Sequence, residues 1–161
     1  RVYLPLTVAG LGDLHRSGRI APAPLRAHAV TSALRASFGV ADDEELEYAA
    51  LMASAYDSLL AIAATSGEPR RVVVAADVDD SQWPDPTADD DPTAVVVSGE
   101  VGISQCRSVH VDDADAEGEI VLALAHLPEA QAGDGRALAA VSLVEHELMW
   151  FATQEIPDLL G

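Results

Sequence analysis

Apolar and polar positions along this chain switch between a two-residue and a 3.6-residue period, and the switches predict its elements. Residues 2–8 open as a β-branched and aromatic run interrupted by Pro5. A proline cannot donate to a ladder, so this strand is expected at an edge or a bulge. Residues 11–16 read as a short helix ended by Ser17-Gly18, 21–24 (Ala-Pro-Ala-Pro) as a stiff connector, and 26–31 as a second strand.

The clearest helix begins at Asp42, an N-cap with Glu45 three residues later as its capping-box partner. Asp43, Glu44 and Glu47 occupy the first turns, where the helix dipole favours anions. Tyr48, Met52, Ala55, Leu59 and Ile62 recur at helical spacing and predict the buried face, and Ser66-Gly67-Glu68-Pro69 stops the helix. Residues 70–78 are an almost unbroken apolar run, as in the middle of a sheet. Residues 79–92, rich in Asp and Pro around Trp83, read as a mobile acidic surface loop.

A strand at 93–101, a turn or short helix at 104–107 and a short strand at 108–111 follow. Asp112-Asp113 fronts a helix to about Leu127, and a long final helix over about 136–155 buries Leu138, Val141, Leu148 and Ala152 or Phe151 before Pro157. The order β-α-β-α-β-β-β-α-α predicts an α/β fold over residues 1–161: a single domain with one mixed sheet of about four to five strands and helices packed on it.

Composition narrows the class. With 161 residues and 49% hydrophobic content the chain can bury a real core, which argues against disorder; only 4% is aromatic, so that core is aliphatic. Acids outnumber bases 27 to 9, a net charge of −18. Every base is Arg and there is no Lys or Asn, a usage that fits a GC-rich genome; acid-rich, Lys-free surfaces also occur as adaptations to high salt. Five arginines (Arg1, Arg16, Arg19, Arg26, Arg35) fall within the first 40 residues, where Asp13 is the only acid, so the remainder is more acidic still. Such a body repels nucleic acid and anionic lipid and attracts basic surfaces. One cysteine, Cys106, excludes an internal disulfide and a Cys-based zinc site, and fits a reducing cytoplasm. No uninterrupted apolar run reaches the ~18 residues of a membrane span, and the opening residues lack the apolar stretch of a signal peptide.

Few constellations carry chemistry. In Glu145-His146-Glu147 successive side chains of a helix point about 100° apart and do not close on one ion. The zincin spacing also fails, because Trp150 stands four residues after His146. Asp77, Asp112 and Asp113 are better placed. Asp77 and Asp112 each end a strand, and neighbouring parallel strands would bring them together as hard ligands for Mg²⁺, with Asp79, Asp115 and Glu117 close by. The competing reading is that Asp112 or Asp113 caps the next helix and that Asp115 and Glu117 complement its dipole. There is no Gly-x-Ser-x-Gly elbow, and Gly10-Leu-Gly-Asp-Leu-His15 has too few glycines for a dinucleotide site. Arg107 could lower the pKa of the adjacent Cys106 thiol. Arg16, Arg19, Arg26 and Arg35, with His28, form either an anion site or intramolecular counter-charges for the acidic body. Trp83 is either an exposed interface anchor or folds back onto the sheet.

Several strings, Arg1-Val-Tyr-Leu-Pro-Leu-Thr7, Asp43-Glu-Glu-Leu-Glu-Tyr-Ala-Ala50, Val109-His-Val-Asp-Asp-Ala-Asp-Ala-Glu117, Glu145-His-Glu-Leu-Met-Trp150 and Gln154-Glu-Ile-Pro-Asp158, resemble a family of small acidic actinobacterial proteins of unknown function. The resemblance implies a bacterial cytoplasmic origin and brings no activity, cofactor or catalytic residue with it. From the residues themselves, the expectation is an interaction protein that presents a carboxylate-rich face to a basic protein partner, using Trp83, Asp85, Asp89, Asp90, Asp91, Asp115 and Glu117. The alternative is a Mg²⁺-dependent enzyme or small-anion binder using Asp77 and Asp112 with the amino-terminal arginines.

Overall fold

A computed structural model describes residues 1–84, 91–142 and 146–161. In chain order its elements are β1 (Val2–Leu6), α1 (Val8–Ser17), β2 (Arg19–Ile20), β3 (Leu25–Ala29), α2 (Ser32–Phe38), α3 (Asp43–Thr65), β4 (Val72–Ala76), β5 (Ala94–Val97), β6 (Val101–Gly102), β7 (Cys106–Val111), α4 (Glu117–Gln131), α5 (Gly135–Ser142), β8 (Met149–Phe151) and α6 (Ile156–Leu159). One open sheet runs β5-β3-β1-β4-β7-β8, and β2 pairs with β6 beside it. The α/β class is as the sequence predicts, but the main sheet has six strands, and every pairing in it is antiparallel.

The first strand lies at the centre of the sheet, against the edge position that Pro5 suggested. Ser58 of α3 explains why a proline fits there. Its hydroxyl accepts from the Val72 amide (3.0 Å) and donates to the Leu6 carbonyl (2.6 Å), so Leu6 faces β4. Backbone groups alternate sides along a strand, which turns the Pro5 nitrogen toward β3. Pairing with β3 has already ended at Tyr3↔His28, so no ladder bond is lost.

Alternation also divides the core. Val2, Leu4, Val72, Val74, Ala76, Ala27, Ala29, Val109 and Val111 face α1, α6 and the β2–β6 pair. Tyr3, Val73 and Ala75 face α3, whose small residues Ala50, Ser54, Ala55 and Ser58 are buried against the sheet. The capping box at Asp42 and Glu45 forms as expected. Ala55, Leu59 and Ile62 are buried as expected, but the amino-terminal half of the face is rotated: Leu46, Ala50 and Ser54 turn inward, while Tyr48 is 49% exposed. Ser54 and the backbone-bonded Ser58 stand among the apolar residues of that face, which apolar periodicity alone does not register. By length and composition α3 is apolar enough to cross a membrane, but here it lies along the sheet and is bonded to it through Ser58.

The long carboxy-terminal helix does not form. α5 spans Gly135–Ser142, and residues 149–151 join the sheet edge, with Trp150 opposite His110. Pro157 sits in the first turn of α6, where its missing N–H costs nothing, so it starts a helix and does not end one.

Candidate functional site

The amino-terminal arginines do not converge. Arg16 pairs with Asp13, Arg19 with Glu100 (3.4 Å), Arg26 with Asp57 (2.6 Å) and Arg35 with Asp43 (3.0 Å), on separate parts of the surface. Each guanidinium is met by an acid of the same chain, the counter-charge reading of this group.

Asp77 and Asp112 do not converge either. Their strands are neighbours but antiparallel, with Val72 opposite Val111, so the two carboxylates lie at opposite ends of the sheet. At ~3.4 Å per residue that is roughly 20 Å. Asp77 takes Arg1 Nε (3.1 Å) and Arg107 Nε (2.9 Å), which hold its carboxyl below the ordinary range. Arg107 reaches it from a β-bulge: Ala75 pairs with Ser108 and Ala76 with Cys106, leaving Arg107 unopposed. Asp112 is buried in a bidentate pair with Arg71. Asp113 accepts from the Asp115 amide (3.0 Å) and caps the turn that leads into α4. Among the described residues no group of three His, Cys, Asp or Glu side chains is placed to hold a metal ion.

Trp83 folds back. It is half-buried, packs against the core, and donates from Nε1 to the Val78 carbonyl (3.3 Å). It also lines a depression of about 280 Å³ at one end of the sheet with Arg1, Tyr3, Val30, Arg35, Asp43, Glu47 and Asp80. Tyr3 is 5% exposed. Burial first, then the nearby Glu47, pushes its phenol up to about 12, so it stays a neutral hydroxyl. Asp85, Asp89 and Asp90 lie outside the described residues. Asp91 turns inward to Thr93. Asp115 and Glu117 are exposed at the start of α4, and Glu117 joins Glu68 and Asp113 around a concavity of about 210 Å³. The Arg70 guanidinium beside it donates from Nε to the Asp112 carbonyl (3.1 Å) and from Nη1 to the Leu159 carbonyl (3.3 Å) and keeps its charge.

A chain of polar contacts runs along the β3–β5 edge. His28 (1% exposed) meets Asp57 through Nε2 (2.8 Å) and the Thr93 hydroxyl through Nδ1 (2.7 Å), and Thr93 donates to Asp91 (2.7 Å). Burial favours raising the Asp57 carboxyl, but hydrogen bonds from His28 and Arg26 outweigh it and the net shift is downward. Thr93 and His28 are both enclosed, so this chain ties α3 to the sheet. Nothing in sequence spacing links residues 28, 57, 91 and 93.

A second hydrogen-bonded pair, Ser108 Oγ and His110 Nε2 (3.0 Å), lies on β7. Burial, then Arg1, holds His110 below the ordinary imidazole range. Ser108 is itself buried, and no described carboxylate hydrogen-bonds to His110 to orient it as a base. Cys106 is buried, and burial pushes its thiol up to about 11 against the weaker opposing effect of Arg107, the reverse of activation. The His146 ring pairs with Glu119 (3.0 Å) and its carbonyl accepts from Arg71 (3.1 Å), while Glu145 lies outside the described residues.

No curated protein and no solved structure matches the chain. A family model covers residues 1–160, and the chain belongs to that family, the family of unknown function DUF6912.

Proposed function

We propose that this protein is an acidic interaction module that presents carboxylates to a basic protein partner. The observation behind this reading is how its cations are used. Arg1, Arg16, Arg19, Arg26, Arg35, Arg71 and Arg107 are all paired with acids of the same chain. With those pairs made, Asp113, Asp115 and Glu117 at the head of α4, with Glu68 beside them, make no ion pair among the described residues. This concave surface sets three carboxylates, Glu68, Asp113 and Glu117, against the one guanidinium of Arg70, and an excess of one sign focuses its field outward and speeds encounter with an opposite charge. The same field disfavours nucleic acid and anionic membranes, and a single buried cysteine suits a reducing cytoplasm.

The test is capture from lysate at low and moderate salt, with the wild-type chain and with an Asp113→Asn/Asp115→Asn/Glu117→Gln variant. A basic partner held by the wild type at low salt, and lost both with salt and in the variant, supports the reading. A partner that the variant retains, or none at either salt, overturns it.

A further inference from the structure

We infer that an open groove along α4 receives an amphipathic helix of the partner protein, apolar along one face and basic at one end. This deepens the acidic-module reading and rests on it for the basic end.

The groove is built on one stripe of α4. Glu117, Val121, Leu124, Pro128 and Gln131 recur at alternating intervals of four and three, so they stand in a row down one side of the helix. The packed stripe is a different one: Ile120, Ala123, Leu127 and Ala130 are buried with Leu59 of α3 and with α5. Val121 is 50% exposed, and Pro128 and Gln131 are exposed too, so most of the first row faces solvent. Opposite it stand Ile62, Ala63 and Ser66 at the end of α3, and the walls border about 530 Å³ of mainly apolar space.

The head of the row is acidic. Pro69 lines both this groove and the concavity around Glu68, Asp113 and Glu117, so the row passes from carboxylate to aliphatic carbon within one helical turn. Two further features call for donors. Pro128 has no N–H to give the Leu124 carbonyl one turn before it, and both residues line the groove. α3 ends there with no basic residue in its last turn, which leaves the negative end of its dipole without a cation on that turn.

These features select the occupant. From Glu117 to Gln131 the row runs about 21 Å, or about four turns of a second helix. Both walls are helices and offer no strand edge, so an extended segment would leave its own N–H and C=O groups unmet over apolar carbon. A helix satisfies its own backbone. A small apolar molecule would leave the acidic head unanswered, and a second copy of this chain would bring its own excess of acid. A helix ending in Lys or Arg meets the walls with aliphatic side chains and the head with charge.

Fluorescence anisotropy tests this with four labelled, blocked peptides of about 14 residues. Two carry Leu at helical spacing on one face, with Lys at the amino end in one and at the carboxyl end in the other. The third scrambles the leucines off a common face, and the fourth replaces Lys by Glu. The expected result is saturable binding of a Lys-ended amphipathic peptide with a gain in helical circular dichroism, about tenfold tighter than the scrambled and Glu-containing ones. Val121→Asp should weaken that binding about tenfold although it adds attraction for Lys, so the loss reads the apolar contact. Leu122→Asp, at a position 54% exposed and outside the groove, should not weaken it.

No binding by either Lys-ended peptide, equal binding of the scrambled one, or equal effects of the two Asp variants overturns the groove. Self-association of the free chain that Val121→Asp abolishes would give the groove to a second copy and overturns it as well. Lysate capture that depends on salt and on Asp113, Asp115 and Glu117 but ignores Val121→Asp overturns the groove and leaves the acidic-module reading standing.

Discussion

Arg71 and Asp112 form a buried, two-pronged ion pair between the start of β4 and the end of β7. Nε and Nη2 of Arg71 lie 2.9 and 2.7 Å from the two carboxylate oxygens, with the side chains 3% and 1% exposed. The Asp112 carboxylate also accepts the Arg71 backbone N–H (2.8 Å), and the guanidinium continues to the His146 carbonyl (3.1 Å). One pair thus fixes two strand ends and the approach to β8. Removing one member leaves the other charge buried alone, so Arg71→Met or Asp112→Asn should each cost about 3–5 kcal/mol in urea unfolding. The double change Arg71→Met/Asp112→Leu should recover much of that loss. A single change costing less than about 1 kcal/mol would contradict the burial of this pair.

Ser54 makes the opposite prediction. Its hydroxyl is fully buried between α3 and the sheet, and no partner among the described residues satisfies it. Ala at this position removes an unpaid polar burial and improves helix propensity, so Ser54→Ala should stabilise the fold by about 1 kcal/mol. A lower urea midpoint for this variant would mean that the hydroxyl has a partner.

Asp57 sets an acid limb. Hydrogen bonds from His28 and Arg26 outweigh the burial that would raise its carboxyl, so it titrates below the ordinary value of 3.8 when folded. The folded state therefore binds fewer protons than the unfolded one. Its contribution is complete above the unfolded pKa and disappears as pH falls through the folded one. Unfolding free energy measured from pH 6 downward should fall below about pH 4, and Asp57→Asn should flatten that fall while lowering stability at pH 6 by about 1–3 kcal/mol. Asp91, which faces the same His28 and Thr93, is also held low and keeps part of the slope. A wild-type slope unchanged in the variant would place the acid limb elsewhere.

Cys106 should behave as an inert core thiol. Burial raises it to about 11, so little thiolate is present at pH 8. A disulfide reagent should label the folded chain roughly a hundredfold more slowly than the urea-unfolded chain. Equal rates would show that the site opens readily.

Local signals were legible where neighbours in sequence settle the matter. The capping box at Asp42 and Glu45, the apolar strand β4 and the acidic cap at Asp113 all formed as read. Reading failed where a distant residue decides. Apolar spacing over 136–155 suits a helix, yet the free edge of β7 draws residues 149–151 into the sheet, a contact that periodicity does not encode. Tyr48 fits an apolar helical face, but α3 is oriented by Ser58 bridging Leu6 and Val72.

The amino-acid sequence by itself determined the α/β class, the excess of acid and the absence of any Lys, because composition and short-range pattern are properties of the chain alone. Only the tertiary structure decided what the charges do. Antiparallel pairing of β4 with β7 sent Asp77 to Arg1 and Arg107 and Asp112 to Arg71. Had those strands run parallel, the carboxylates would have shared one end of the sheet. Strand direction is set by the whole path of the chain, and charge interactions fall steeply with distance. The same residues are therefore structural ion pairs here.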